Sequence, residues 1–199
     1  MSHSWWYLSR ASGVVAWALL AGSVLWGLLL STRVFDRNPG PKWFTDLHRF
    51  LGGTAVVFVA VHVATILADS YVRFGVADVL VPLSAKWHPV AVAWGVVAMW
   101  LLLAVEVSSL AMRYLPRRVW HAVHLSSYAL FVSATVHALT AGPDTRKQAF
   151  ELVLSATLAV VTLLVLVRIA TRNGKARTKG RGETSARPPT PPAVEAASR

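Results

Sequence analysis

Long apolar runs separated by short polar, mostly basic stretches set the pattern of the chain. Five of these runs, about Ala11–Ser31, Asp46–Ala68, Pro89–Met112, Val119–Thr140 and Phe150–Thr171, reach the roughly 20 residues a helix needs to cross a bilayer core. A further stretch, Tyr71–Lys86, is apolar but broken by Arg73, Gly75, Asp78 and Pro82, which suits a surface-lying loop or short amphipathic helix rather than a span. From about Asn173 the chain turns polar, basic and proline-rich, a composition that cannot bury a core. The expected fold is therefore an all-α integral membrane protein. A bundle of about five transmembrane helices occupies residues 1–172, and a disordered tail occupies 173–199. The opening MSHSWWYLSR has no basic segment leading directly into a short apolar stretch, so the first run reads as a retained helix rather than a cleaved signal.

Composition sharpens this picture. Hydrophobic residues make up 55% of the 199, and 20 Lys and Arg stand against nine Asp and Glu. Such an excess of positive charge often marks a nucleic-acid binder, but here the basic residues lie between apolar runs rather than on one patch. They report topology instead. Arg33, Arg37, Lys42, Arg49, Arg113, Arg117, Arg118 and eight more from Arg168 onward fall on one side, fifteen in all. Only Arg10, Arg73, Lys86, Arg146 and Lys147, five residues, fall on the other. The positive-inside bias then places the N-terminus outside and the C-terminus in the cytoplasm, in what is expected to be a bacterial plasma membrane. The basic half of the tail would lie near anionic lipid. Cysteine is absent, which excludes iron–sulfur clusters, c-type haem attachment and disulfides and leaves histidine as the candidate metal ligand.

Of the histidines inside the predicted spans, four form a pattern, His48 and His62 in HRFLGGTAVVFVAVH and His124 and His137 in HLSSYALFVSATVH, and the fifth, His121, stands one turn before His124. Ionisable groups are costly there and mark functional sites by default. Spacings of 14 and 13 residues separate the members of each pair by roughly 20 Å along the helix. The second and fourth helices run parallel, so His48 is level with His124 and His62 with His137. Two facing imidazoles can supply both axial ligands of a haem iron, and the chain carries two such layers. A 14-residue step leaves His48 and His62 on one face within about 40°, whereas a 13-residue step leaves His124 and His137 roughly 140° apart. Starting from His121 leaves about 160°. The spacing therefore predicts an irregularity in the fourth helix. Interhelical hydrogen bonding is the plainer reading of any one of these histidines. Metal transport would call for carboxylates beside them, and Glu106 is the one acid deep in a span.

The His48-to-His62 stretch with RFLGG inside it, and Trp120-His-Ala-Val-His124-Leu-Ser-Ser-Tyr128 leading to His137, resemble the ferric reductase-like transmembrane domain family. That family includes the membrane part of NADPH oxidases, ferric reductases and the bacterial methionine sulfoxide reductase haem subunit. The resemblance covers the second to fourth helices, about half the chain. In two-haem members it implies that His48 pairs with His124 and His62 with His137. The bacterial haem subunit is similar in length and in the Trp–His–Tyr stretch, and a histidine at position 48 favours two haems over one. The full oxidases and reductases also carry flavin and nicotinamide domains, for which this sequence has no room and no glycine-rich phosphate motif.

Other residues have two readings each. Arg49, Arg113, Arg117 and Arg118 are candidates for pairing with the propionates of an inner haem, or serve topology alone. Arg73 and Lys86 are weaker counterparts at the outer one. Glu106 is expected to pair locally, with a protonated acid or a proton or quinol route as rivals. Gly52 and Gly53 admit either a macrocycle or a neighbouring helix. Trp5, Trp6, Trp43, Trp87 and Trp120 read as interfacial anchors. Trp100 and Tyr128 read as core, with a place between haems as the rival. His121 reads as interfacial, a replacement ligand being the alternative, and His3 and His88 as solvated.

The function these features imply is a b-type cytochrome that carries electrons across the bilayer through two haems. It would depend on a separate donor, either a flavin reductase or quinol, and on an extracytoplasmic acceptor. A quinol-oxidising haem subunit dedicated to one extracytoplasmic reductase is the alternative, and a non-haem metal transporter or scaffold is the rival from another class.

Overall fold

Seven α-helices order the described residues of the computed structural model: α1 (His3–Ser31), α2 (Lys42–Ala68), α3 (Val76–Leu80), α4 (Pro89–Leu110), α5 (Arg117–Leu125), α6 (Ser127–Ala141) and α7 (Gln148–Ser185), with a 3₁₀ turn at Met112–Tyr114. The structure describes residues 3–31, 42–69, 73–142 and 148–185, with side chains up to Ala170 in the last helix. Arg33, Arg37, Tyr71, Arg146, Lys147 and segment 186–199 lie outside the described residues. Among the described residues, five helical segments are long and apolar enough to cross a membrane: Ser4–Ser31, Lys42–Ala68, Pro89–Leu110, Arg117–Ala141 and Gln148–Ala170. The protein is an integral membrane protein built from helices. The first span begins earlier than its apolar run, because Trp5, Trp6 and Tyr7 continue the helix on the polar side of Ala11. The last helix continues to Ser185, so the basic segment from Asn173 starts in helical backbone.

Small residues decide how closely the spans approach. Along α1, Ser9, Ser12, Ala16, Leu20, Ala21, Ser23, Val24 and Leu28 are buried and recur every three or four positions. A stripe of that kind lets a neighbouring backbone come close where the hydrophobic effect gives no help. Helix α1 packs along α2 and also against α6, while α4 packs against α6, α5 and α2. By contrast α2 has little close backbone approach to α5 or α6. Hydroxyls within the spans bond back to carbonyls of their own helix, as Ser12 does to Leu8 O (2.7 Å), Thr65 to Val61 O (2.8 Å) and Thr135 to Phe131 O (2.8 Å). Without water, such a bond satisfies the donor locally.

The fourth span is broken, as the 13-residue spacing predicts. At Ser126 the backbone N–H bonds to Val123 O at 3.0 Å, three residues back, and the Ser126 hydroxyl bonds to the same carbonyl at 2.6 Å. A three-residue turn advances about 20° more per residue than an α turn. That is the sense of rotation that brings His137 round towards the face of His124. The break also gives α5 and α6 different neighbours, α6 alone reaching α1.

The Tyr71–Lys86 region contains one short helix, α3, with the Gly75 N–H donating to the Asp78 carboxylate at 2.8 Å. Trp100 is 49% exposed and donates to Leu80 O at 2.9 Å. It therefore pins the turn after α3 instead of filling the core expected from sequence. Helix α4 opens with Pro89 at its first turn, which suits a residue lacking N–H, and His88 before it takes φ 42°.

Phe131 is fully buried, with Trp17 at 6.2 Å between ring centres and the Trp17 indole donating to Thr135 Oγ1 at 3.0 Å. Phe131→Ala is expected to lower the unfolding midpoint in detergent, by up to the about 3–5 kcal/mol of an aromatic truncation in a packed core. Phe50→Ala, at a position 65% exposed to the surroundings, should leave that midpoint unchanged.

Candidate functional site

The spacing of His48 and His62 turns both rings to one face of α2, and the break at Ser126 lets α5 and α6 each present one ring to that face. The structure brings His48 and His124 together with ring centres 6.0 Å apart and planes at 72°. His62 and His137 meet in the same way at 6.3 Å and 79°. All four rings are partly buried.

Three of the rings are held from behind by backbone. His62 Nδ1 lies 2.6 Å from Ser9 O, His48 Nδ1 3.1 Å from Ser23 O, and His137 Nδ1 2.8 Å from Ala91 O. His48 Nδ1 also lies 3.2 Å from the Ser23 hydroxyl. A carbonyl only accepts, so Nδ1 carries the proton in each ring and Nε2 keeps its lone pair. His124 differs. Its Nδ1 is buried with no hydrogen-bond partner among the described residues, and its ring lies over Trp120 at 5.1 Å and 21°. Trp120 Nε1 is likewise buried and unpartnered, so this residue is part of the site's wall rather than a simple interfacial anchor.

Two rings about 6 Å apart have room for one metal atom between them. A metal bonded to one nitrogen of each ring at about 2.0–2.1 Å would hold the ring centres roughly 6 Å apart. Among the described residues no three His, Cys, Asp or Glu side chains converge as a metal cluster. A bare ion generally wants three or four protein ligands, whereas a haem iron needs only axial ones. The arrangement in pairs, on helices whose backbones stay apart, fits a haem better than a bare ion.

The remaining candidates fall elsewhere. Arg49, Arg117 and Arg118 are exposed, Arg49 next to His48 in sequence and the other two in the first turn of α5, and Arg113 lies over the Tyr114 ring at 4.5 Å. Arg73 and Lys86 are exposed. His121 is exposed and is not one of the facing rings, and His88 stacks edge-on with Trp87 at 4.5 Å. Glu106 has no ion-pair partner among the described residues, which leave out Arg33 and Arg37. Its carboxyl rests on Gly52, where an added Cβ would collide with Oε1. Gly53 faces open space, with nothing within 4 Å of an added Cβ. Of the two adjacent glycines, then, Gly52 serves helix packing.

Sequence reasoning missed the residues behind the rings: Ser9, Gly13, Ser23, Gly27, Ala91 and Gly95. A signal was present. Ser9 and Ser23, and Gly13 and Gly27, repeat at the 14-residue interval of His48 and His62.

A family model described as ferric reductase like transmembrane component matches residues 12–135. The chain belongs to that family. No curated protein and no solved structure matches it. Ferric reductase-like membership makes the chain a membrane oxidoreductase component for electron transfer, and transmembrane domains of this kind are generally haem-binding. The matched segment contains His48, His62 and His124 and ends two residues before His137.

Gly52→Ala is expected to destabilise the α2–α4 contact, whereas Gly53→Ala should be neutral. Combining Gly52→Ala with Glu106→Ala should recover part of the loss, a coupling of about 0.5–3 kcal/mol between touching residues. Unfolding midpoints of the three variants and the double mutant measure it, and additive effects would separate Gly52 from Glu106.

Proposed function

We propose that the chain holds two b-type haems, one between His48 and His124 and one between His62 and His137, and is the membrane electron conduit of a larger redox system. What carries this reading is the pair of facing histidine pairs, each with the span of a single metal between two imidazoles. Haem supplies reversible one-electron iron chemistry when bound. The chain's own part is to ligate, orient and shield. His62, His48 and His137 are orientated by their Nδ1–H bonds to Ser9, Ser23 and Ala91, so that Nε2 is the nitrogen offered to iron. The small-residue stripe of α1 closes one side against lipid and water. Arg49, Arg113, Arg117 and Arg118 stand at the end of the His48/His124 pair, where guanidinium groups suit propionates.

The charge count puts that pair on the cytoplasmic side of the plasma membrane, with the N-terminus outside and the C-terminus inside. The electron donor is then a separate flavin reductase or a quinol, and the acceptor lies outside the cytoplasm.

A reduced-minus-oxidised absorbance spectrum with a haem-to-protein ratio tests the proposal. Two b-type haems per chain are expected. His48→Ala or His124→Ala should each remove one, and His62→Ala or His137→Ala the other. A colourless protein after haem supply would sink the reading, and one haem per chain surviving His48→Ala would reduce it to a single site.

A further inference from the structure

Three of the four facing histidines share a backing that the family's histidines alone do not describe. Each points Nδ1 at the carbonyl of a residue standing four places before a glycine. The pairs are Ser9 with Gly13 behind His62, Ser23 with Gly27 behind His48, and Ala91 with Gly95 behind His137. This coincidence has a mechanical cause. In an α-helix the carbonyl of residue i already accepts from the N–H of i+4. The side chain of i+4 leans back towards the N-terminus, over that carbonyl. Where i+4 carries no side chain, that oxygen lies open from the side and a second donor can reach it at close range.

The clearances agree. A Cβ on Gly13 would stand 2.9 Å from His62 Nδ1, and one on Gly95 would stand 2.7 Å from His137 Nδ1. On Gly27 it would stand 3.1 Å from His48 Cε1 and 3.6 Å from Nδ1. The fit at the His62/His137 end is thus the tighter one.

We infer that Ser9/Gly13, Ser23/Gly27 and Ala91/Gly95 are positioning pairs that set the tautomer of their histidines and tune the redox potential of each haem site separately. The inference rests on the haem reading above. A ring that donates from Nδ1 to a carbonyl is a more basic ligand through Nε2, and a more basic ligand favours the oxidised, more highly charged iron. Each carbonyl therefore lowers the midpoint potential of its own site. The His62/His137 site has two such pairs and the His48/His124 site has one. At 13 and 14 residues beyond Gly95, the interval that separates His137 from His124, α4 has Ser108 and Ser109 rather than a glycine.

The test uses the full chain in detergent, and the wild type comes first. If it takes up no haem, the underlying reading falls and the inference falls with it. With haem bound, Gly13→Ala and Gly95→Ala are expected to weaken retention at the His62/His137 site by about 10–100-fold. They should also raise one of the two midpoints in a potentiometric titration and leave the other in place. A tenfold shift in the redox equilibrium reads as 59 mV for one electron. Gly27→Ala should move the opposite midpoint, and Gly53→Ala neither.

Serine variants separate hydrogen bonding from volume. In Gly13→Ser and Gly95→Ser the hydroxyl offers Nδ1 a replacement acceptor, so the midpoint should return towards wild type although the side chain is larger. Alanine favours the helix over glycine, and Gly13 and Gly95 reach one site from different helices, so either variant reports if the other misfolds. Alanine variants with both midpoints unmoved overturn the inference. So do serine variants that depart further from wild type than their alanine counterparts.

Discussion

A polar ring inside a bilayer has no water to satisfy it, and every nitrogen it buries needs a partner from the protein. Helical carbonyls are the one acceptor present in quantity, but they are engaged along the helix and covered by the side chains one turn on. The structure meets this constraint by omitting a side chain where a histidine must reach in. Ser9 O, Ser23 O and Ala91 O are reached in this way, beside Gly13, Gly27 and Gly95.

That requirement makes α1 the reference element of the bundle. It has no metal-ligating candidate among its described side chains, yet its two serine–glycine pairs hold both histidines of α2, and its buried stripe of small residues brings α2 and α6 close. The antiparallel course of α1 and α2 puts Ser9 level with His62 and Ser23 level with His48, so a single 14-residue interval on each helix serves both depths. Helix α2 then stands back from α5 and α6, and the two sides meet through ring pairs instead of backbone.

The two ends are not equivalent. At the His62/His137 end both rings donate to carbonyls; at the other, His124 lies on Trp120 and both residues bury a nitrogen without a partner among the described residues. Orphaned groups of this kind are uncommon and mark places where a structure is held for a purpose other than stability. Glu106 is a second such place, a carboxyl resting on Gly52 with no cation beside it among the described residues.

Much of this was legible in the chain. Run length and charge separated the five spans, because a bilayer admits few lengths and few polar residues. Periodicity alone predicted the level pairing of the histidines and required a distortion between His124 and His137, which lies at Ser126. Ring orientation was beyond it. Which nitrogen carries the proton depends on the acceptor behind each ring, and that acceptor belongs to another helix. The roles of Gly52, Trp100 and Trp120 were hidden for the same reason, since a glycine or a tryptophan in an apolar run packs equally well on either face. The sequence by itself determined the number of spans, the family and the depth of each histidine, since these depend on order and interval along one chain. Only the tertiary structure decided which carbonyl each ring meets and which ring meets none, because that choice depends on how closely two separate helices approach.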